Sequence, residues 1–390
     1  MVTKTRSNDA VIAGIGQTEF SKNSGRSELQ LTSEAALAAC ADAGIAPEEV
    51  DGMITYTLDN TDEVGLCRCL GVKDLKYTVR VPQGGAGSVV TVFQAMAAVK
   101  SGVADNVLIF RGMNERSQYR FGRPTARGYP AVGGGSTFME WAMPFGAQSP
   151  GCWESLTAMT YMQKYGVKNE DFGLVSVLLR KHAATNPAAW FYQKPITLDD
   201  HQNSRWICAP TLRLLDCCQE SDGAVAILVT RYDRAKDLKQ KPIKIHGAVH
   251  TLLPEHEIIT DYYHSKDLSR LAMSETVVKR LKKMAKIAPT ETQVAMIYDN
   301  FTPQIFMQLE AFGYCKRGEA KDYIRDGNCD LDGKSPLSPN GGHIGEGYIH
   351  GMNLISEGVR QARGTAANQV KNVETVFLGS GVAGAIIGAC

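Results

Sequence analysis

The sequence has no Cys-x-x-Cys pair, no run of apolar residues long enough to span a bilayer, and no excess of charge of either sign. Each absence excludes a class of function. Lys and Arg number 42 against 41 Asp and Glu, a net charge of +1, so no surface built globally for nucleic acid or anionic lipid is expected. Met1 to Ser7 lead straight into an apolar strand without a signal-peptide core, and a cytoplasmic protein without a membrane span is the expectation. The ten cysteines are scattered: Cys67 and Cys69 are too close for an ordinary zinc knuckle, and Cys217 and Cys218 are adjacent. They read as reduced thiols packed as small hydrophobes. No spacing among the eight histidines indicates a metal site. Asn300-Phe301-Thr302 fits a glycosylation acceptor, but without a secretory signal the match has no consequence.

What is present is an alternation of strands and helices that occurs twice. With 390 residues and 44% hydrophobic content, the chain can bury one large core or two fused ones. Val11–Gly16 reads as a buried strand, and Ser27–Ala43 as a helix with Leu29, Leu31, Ala35, Ala36, Ala39 and Cys40 on one side and Gly44 as its stop. Ile45-Ala46-Pro47 and the strand Met53–Tyr56 follow. The order returns much later: a helix from about Ser274 to Lys286, then Ile287-Ala288-Pro289, then Val294–Tyr298. A second pair of segments matches as well. Gln83-Gly84-Gly85 precedes a helix (Ser88–Lys100) and a strand (Asn106–Gly112). Asn340-Gly341-Gly342 precedes a helix (about Gly351–Arg363) and a strand (Val373–Gly379). Two units in the same order point to a duplicated α/β chain, with halves expected at 1–240 and 241–390. An insertion in the first half, about 113–216, is rich in Gly, Pro and Arg at its start and then helical. Long insertions on a rigid scaffold commonly carry substrate contacts.

Together these features resemble the thiolase superfamily over essentially the whole chain. Within it, Asn203-Ser204-Arg205-Trp206, Leu212–Cys217, Asp222-Gly223-Ala224 and Asp299-x-Phe301-Thr302 are similar to the sterol-carrier-protein-type branch. Phe20–Ser27, Tyr298-Asp299-x-Phe301-Thr302-Pro303 and Gly341-Gly342-x-x-Gly345-Glu346-x-Tyr348-Ile349-His350-Gly351-Met352-Asn353 are similar to its lipid-transfer-protein-like steroid side-chain aldolases. The resemblance implies a thiolase fold: two duplicated βαβαββ halves in a five-layer αβαβα arrangement with an inserted loop domain.

The resemblance also shows where the chain departs from a thiolase. Gly85 falls on the nucleophilic cysteine, and hydrogen cannot attack an acyl carbon. Tyr298 falls on the Asn or His of the Asn-Glu-Ala-Phe loop, and Tyr348 on the His of Gly-His-Pro. Phe377–Gly381 falls on the C-terminal Cys-x-Gly, and Cys390 lies too far along to replace that cysteine without a rearranged terminus. Ping-pong acyl transfer therefore has neither of its cysteines.

A thioester pocket without a nucleophile can still stabilise an enolate, which is what retro-aldol cleavage requires. A base takes the β-hydroxyl proton, the Cα–Cβ bond breaks, and an acid protonates the α-carbon. Tyr298 and Tyr348 are the candidates for acid and base, with Tyr348 preferred as base. The free phenol pKa of about 10 calls for neighbours that ease proton loss, and Asp299, His343, Glu346 and His350 are nearest in sequence. The plain alternative for either tyrosine is a buried aromatic with a satisfied hydroxyl. For the histidines it is packing, and for Glu346 a charge at a helix start. Gly85, Gly341, Gly342, Gly347 and Gly381 would shape the substrate pocket. Among the arginines from Arg111 to Arg127 at the start of the insertion, Arg116 and Arg123 would meet the coenzyme A pyrophosphate. Lys279–Lys286 reads as a solvated helix face.

The resemblance further implies a substrate and an assembly: a 17-hydroxy steroid with a three-carbon carboxyl-CoA side chain, giving a 17-ketosteroid and propionyl-CoA. No cofactor is expected beyond the coenzyme A of the substrate. A homodimer is implied, with a small OB-fold partner associated with a hydratase. Two other readings stay open: a non-catalytic acyl-CoA or lipid carrier, and an acyltransferase using a displaced cysteine such as Cys390.

Overall fold

The computed structural model describes residues 6–82, 84–118, 120, 143–254 and 265–390. The first half runs β1 (Ala10–Gln17), α1 (Glu28–Ala43), β2 (Gly52–Tyr56), α2 (Glu63–Leu70), β3 (Tyr77–Val81), α3 (Ser88–Ser101) and β4 (Asn106–Asn114). Between β4 and β7 (Asp222–Arg231) lie α4 (Pro150–Tyr165), α5 (Asn169–Ala184), α6 (Leu198–Asn203) and the short pair β5 (Trp206–Cys208) and β6 (Leu212–Arg213). After α7 (Tyr232–Ala235) come β8 (Ile243–His250), α8 (Ala272–Ala285), β9 (Val294–Ile297), α9 (Thr302–Ala311), α10 (Ala320–Arg325), α11 (Gly342–Gly345), α12 (Met352–Arg363), β10 (Thr375–Gly379) and β11 (Ala383–Gly388).

Local sequence accounts for the element boundaries. The Ser27 hydroxyl accepts from the Gln30 N–H at the start of α1, and Gly44 closes the helix in the left-handed region. In α8, Val277, Leu281 and Ala285 are buried, whereas Lys279, Arg280, Lys282 and Lys283 face solvent, as the basic pattern anticipated.

The larger sheet is ordered β3-β2-β4-β7-β1-β8-β11-β10-β9. The order β2-β4-β7-β1 in the first half mirrors β9-β10-β11-β8 in the second. Each set has one parallel pair followed by two antiparallel ones. The copies differ at the edge. β3 pairs with β2 over five residues, but its counterpart beside β9 is reduced to one parallel bridge, Ala295 to Leu337. The halves join where β1 meets β8 antiparallel at Val11–Lys244 and Ile12–Ile243. The Lys244 ammonium is 2.9 Å from Asp9 across that seam.

Three apolar clusters fill the layers between sheet and helices. α1 packs on the first half through Leu31, Ala35 and Ala39 against Phe110 and Leu228. α3 and α12 occupy the middle, where Val90, Ile109 and Ile227 meet Leu354 and Val376. α8 and α9 cover the second half with Leu281, Phe306 and Phe377. Helix, sheet, helix, sheet, helix is the five-layer order of the expected fold. Among the described residues, no helix is long and apolar enough to cross a membrane.

Candidate active site

β2, β3 and β4 are parallel, as are β9 and β10, and loops beyond the carboxyl ends of such strands commonly form a binding crevice. Here the loop after β9 carries Tyr298 and the loop around α11 carries Tyr348. The turn after β10 carries Ser380 and Gly381, and the short turn Gly85–Gly87 before α3 carries Gly85. Direct bonds hold these loops together. The Tyr298 N–H donates to Gly379 O at 2.9 Å. The Ser380 hydroxyl donates to Ala86 O at 2.7 Å, and Gln308 Nε2 donates to Tyr298 O at 2.7 Å.

At the centre the Tyr298 and Tyr348 hydroxyls are 2.7 Å apart, both buried. A Cβ on Gly85 would overlap the Tyr298 hydroxyl. The glycine at the nucleophile position is thus the space into which the tyrosine reaches, and the two replacements are one steric unit. Burial raises both phenols well above their ordinary pKa. For Tyr298 the half-buried Cys218 thiol adds to the effect, and for Tyr348 its partner Tyr298 does. Both hydroxyls are therefore neutral.

The surrounding candidates divide into contacts and supports. The His343 ring lies edge-on to both tyrosines, with centroids 4.9 Å from Tyr298 and 5.2 Å from Tyr348. Its Nδ1 is 2.8 Å from Asp299 Oδ1, but the contact is bent, and neither ring nitrogen makes an aligned hydrogen bond among the described residues. Asp299 is committed elsewhere: its carboxylate accepts the N–H groups of His343 (2.8 and 2.9 Å) and Ile344 (3.1 Å). A Cβ at Gly342 would overlap that carboxylate, so Asp299 and Gly342 shape the loop together. His350 lies edge-on to Tyr348 at 5.1 Å and accepts from Arg111 Nε at its Nδ1, 3.3 Å away. Arg111 only donates, so the neutral His350 ring carries its proton on Nε2. Burial, then Arg111 and His343, hold its pKa well below the usual value.

Three sequence expectations need correction. Glu346 does not relay protons to Tyr348. Its carboxylate accepts from Asn340 (2.6 Å), Asn353 (2.8 Å) and Asn186 (3.3 Å), and burial raises its pKa. Arg111 is no phosphate ligand, because it is buried with Asp59 at 3.1 Å and turned toward His350. Cys390 cannot act as a displaced nucleophile: it lies past the far end of the six-residue β11, about 20 Å of strand from Gly381, with its thiol on Pro242 O.

The remaining candidates are placed as follows. Gly341 packs against Ala183, Gly347 against Phe20, and Gly381 turns between β10 and β11 with its carbonyl accepting from Ser274. Arg116 is half-buried at the end of β4, its N–H on Asp222, and Arg123 lies outside the described residues. Sequence reasoning missed the segment 217–221, which runs alongside the tyrosine loops. Cys217 bridges Phe301, and the Cys218 N–H donates to Asn300 O at 2.8 Å. The Tyr348 N–H donates to the Ser221 hydroxyl at 3.2 Å. Register across β4 and β7 makes this wall, and no local motif marks it. Among the described residues, no group of three His, Cys, Asp or Glu could hold a metal.

Residues 259–389 match the model of the thiolase C-terminal domain-like family. The chain is 48% identical to the steroid side-chain-cleaving aldolase of Thermomonospora curvata, over 97% of this chain and 98% of that one. The chain belongs to the steroid side-chain aldolases of the thiolase superfamily. It is also 47% identical to the 17-hydroxy-3-oxo-4-pregnene-20-carboxyl-CoA lyase of Mycobacterium tuberculosis, over 96% and 97% of the two chains. The solved Ltp2-ChsH2(DUF35) aldolase superposes with a TM-score of 0.91 at 47% identity, covering 98% of each chain. In this aldolase family member, the thiolase scaffold houses two hydroxyls over a glycine.

Proposed function

We propose that the chain cleaves a β-hydroxyacyl-CoA by a retro-aldol reaction. Its substrate is a 17-hydroxy steroid with a three-carbon carboxyl-CoA side chain, and its products are a 17-ketosteroid and propionyl-CoA. The observation that carries this reading is the buried Tyr298–Tyr348 hydroxyl pair over Gly85. Identity near one half to two aldolases over nearly the full length supports it.

Buried phenols are poor bases if one must hold a full negative charge, but the pair avoids that state. Tyr348 oxygen accepts the substrate hydroxyl proton while its own proton moves 2.7 Å to Tyr298 oxygen, and the Tyr298 proton goes to the α-carbon. One O–H and one C–C bond break, the ketone C=O and the α-C–H form, and the pair ends as it began. His343 and His350 pack the rings in place, while Asp299 and Glu346 hold the loop that carries Tyr348.

Coenzyme A enters as part of the substrate, with no separate cofactor, and Arg116 and Arg123 are its candidate phosphate ligands. The working assembly is a cytoplasmic homodimer with a small OB-fold partner associated with a hydratase. The DUF35 component in the solved relative's name supports a small partner. The test is to incubate the protein, with and without such a partner, with the 17-hydroxy steroid thioester. Release of ketone and propionyl-CoA in equal amounts is expected. Intact thioester that binds without turnover would make the chain a carrier.

A further inference from the structure

Glu115 follows the last residue of β4 and is buried. Its Oε2 has no hydrogen-bond partner among the described residues, although a buried carboxyl oxygen without one is costly. The pairing of Asn114 with Asp222 sets Glu115 opposite Ser221, whose hydroxyl receives the Tyr348 N–H. Glu115 is close enough for its charge to be felt at Tyr298, Tyr348 and Cys218. The other groups that face it are Glu220 on the adjoining segment, Lys22 from the loop after β1, and Arg111 on its own strand. Glu220 is paired with Arg120 (2.5 Å), and Arg111 with Asp59 (3.1 Å), so neither cation is given over to Glu115. The Lys22 ammonium is engaged by Gln219 Oε1 and Glu220 O at 2.8 and 2.6 Å.

We propose that Glu115 is a positioning residue of the tyrosine site: a neutral carboxylic acid that keeps negative charge away from the hydroxyl pair, so that raising the pH switches the enzyme off by ionising it. Burial first and Glu220 second raise its pKa well above that of an ordinary glutamate, against the lowering effects of Arg111, Lys22 and the Ser221 backbone. During turnover, electron density moves onto the thioester next to the tyrosines. A Glu115 carboxylate there would oppose it at low dielectric, and a neutral acid would not. Its loss of a proton therefore sets an alkaline limit on turnover. The inference rests on the retro-aldol reading.

The experiment is the pH profile of kcat for the partner-bound enzyme, its Glu115→Gln variant and its Glu220→Gln variant. The parent falls about tenfold or more as pH rises through the Glu115 ionisation. Glu115→Gln is neutral at every pH and loses that fall. Glu220→Gln removes the like charge and moves the fall to lower pH by roughly one unit. An unchanged alkaline limb in Glu115→Gln, or in Glu220→Gln should the first variant not fold, overturns the inference. Infrared difference spectra, parent minus Glu115→Gln, read the protonated carboxyl without turnover. Absence of a carboxylic-acid carbonyl band at neutral pH overturns the inference even where the enzyme is active. A failed aldolase assay with that band present overturns the functional reading alone.

Discussion

The hydroxyl of Tyr298 fills the volume that any side chain at position 85 would need. Gly85→Ala should therefore destabilise the protein by about 1–3 kcal/mol through overpacking and abolish turnover. Adding Tyr298→Ala should recover stability but not activity, a coupling that a double-mutant cycle of urea melts measures. Gly85→Cys should give no thiolysis of a 3-ketoacyl-CoA, because the histidine and second cysteine of a thiolase are absent as well.

Tyr298→Phe and Tyr348→Phe each keep the ring and remove one link of the relay. Turnover should fall roughly 10²–10⁴-fold in either, with the melting temperature little changed. Since the proton uses both hydroxyls in one passage, the double variant should be scarcely slower than the worse single one. Multiplicative losses would mean that the two tyrosines act in separate steps. Both singles within threefold of the parent would make the pair structural.

Arg111 and Asp59 form a buried pair 3.1 Å apart. Asp59→Asn leaves the guanidinium without its counter-charge and should cost about 3–5 kcal/mol in a denaturant melt. Arg111 also fixes the tautomer of His350. Arg111→Met would strand the buried Asp59 carboxylate and remove that constraint, so stability should fall by a similar amount and activity with it.

Glu154 is buried with Gln304 Nε2 at 2.7 Å, and burial brings its pKa up to about 8 from 4.5. Between those values the unfolded chain has released the proton and the folded chain still holds it. Stability contributed by this group thus falls as pH rises through the window. Glu154→Gln does not titrate, so its stability relative to the parent should rise across the same range, by a few kcal/mol at most. Melts at pH 5 and pH 8 that show a constant difference would refute this.

The duplicated strand order, the glycine-rich loops and the two tyrosines were legible in the sequence, because strands announce themselves by composition and the loops by glycine spacing. The pairing of Tyr298 with Gly85 was not, since a missing side chain carries no mark of what fills its place. Asp299, Glu346 and Arg111 misled for a related reason. Adjacency in sequence made the first two seem partners of the tyrosines, and the start of the insertion made Arg111 seem a phosphate ligand. Their polar contacts go instead to backbone amides, to asparagines as distant as Asn186, and to Asp59 as a buried ion pair. Glu115 and Ser221 became neighbours of the site only through the β4–β7 register.

The β1–β8 seam joins two stretches of mirrored strand order edge to edge in one sheet, and the two contribute unequally to the site. The second supplies both tyrosine hydroxyls, from the loops beyond β9 and α11. The first supplies a void at Gly85 and a brace: Tyr56, at the end of the strand that mirrors β9, donates its hydroxyl to His350 O at 3.0 Å. Mutational tolerance should follow the same asymmetry. Around the first copy's loop it is size that selection can read, and around the second it is chemistry.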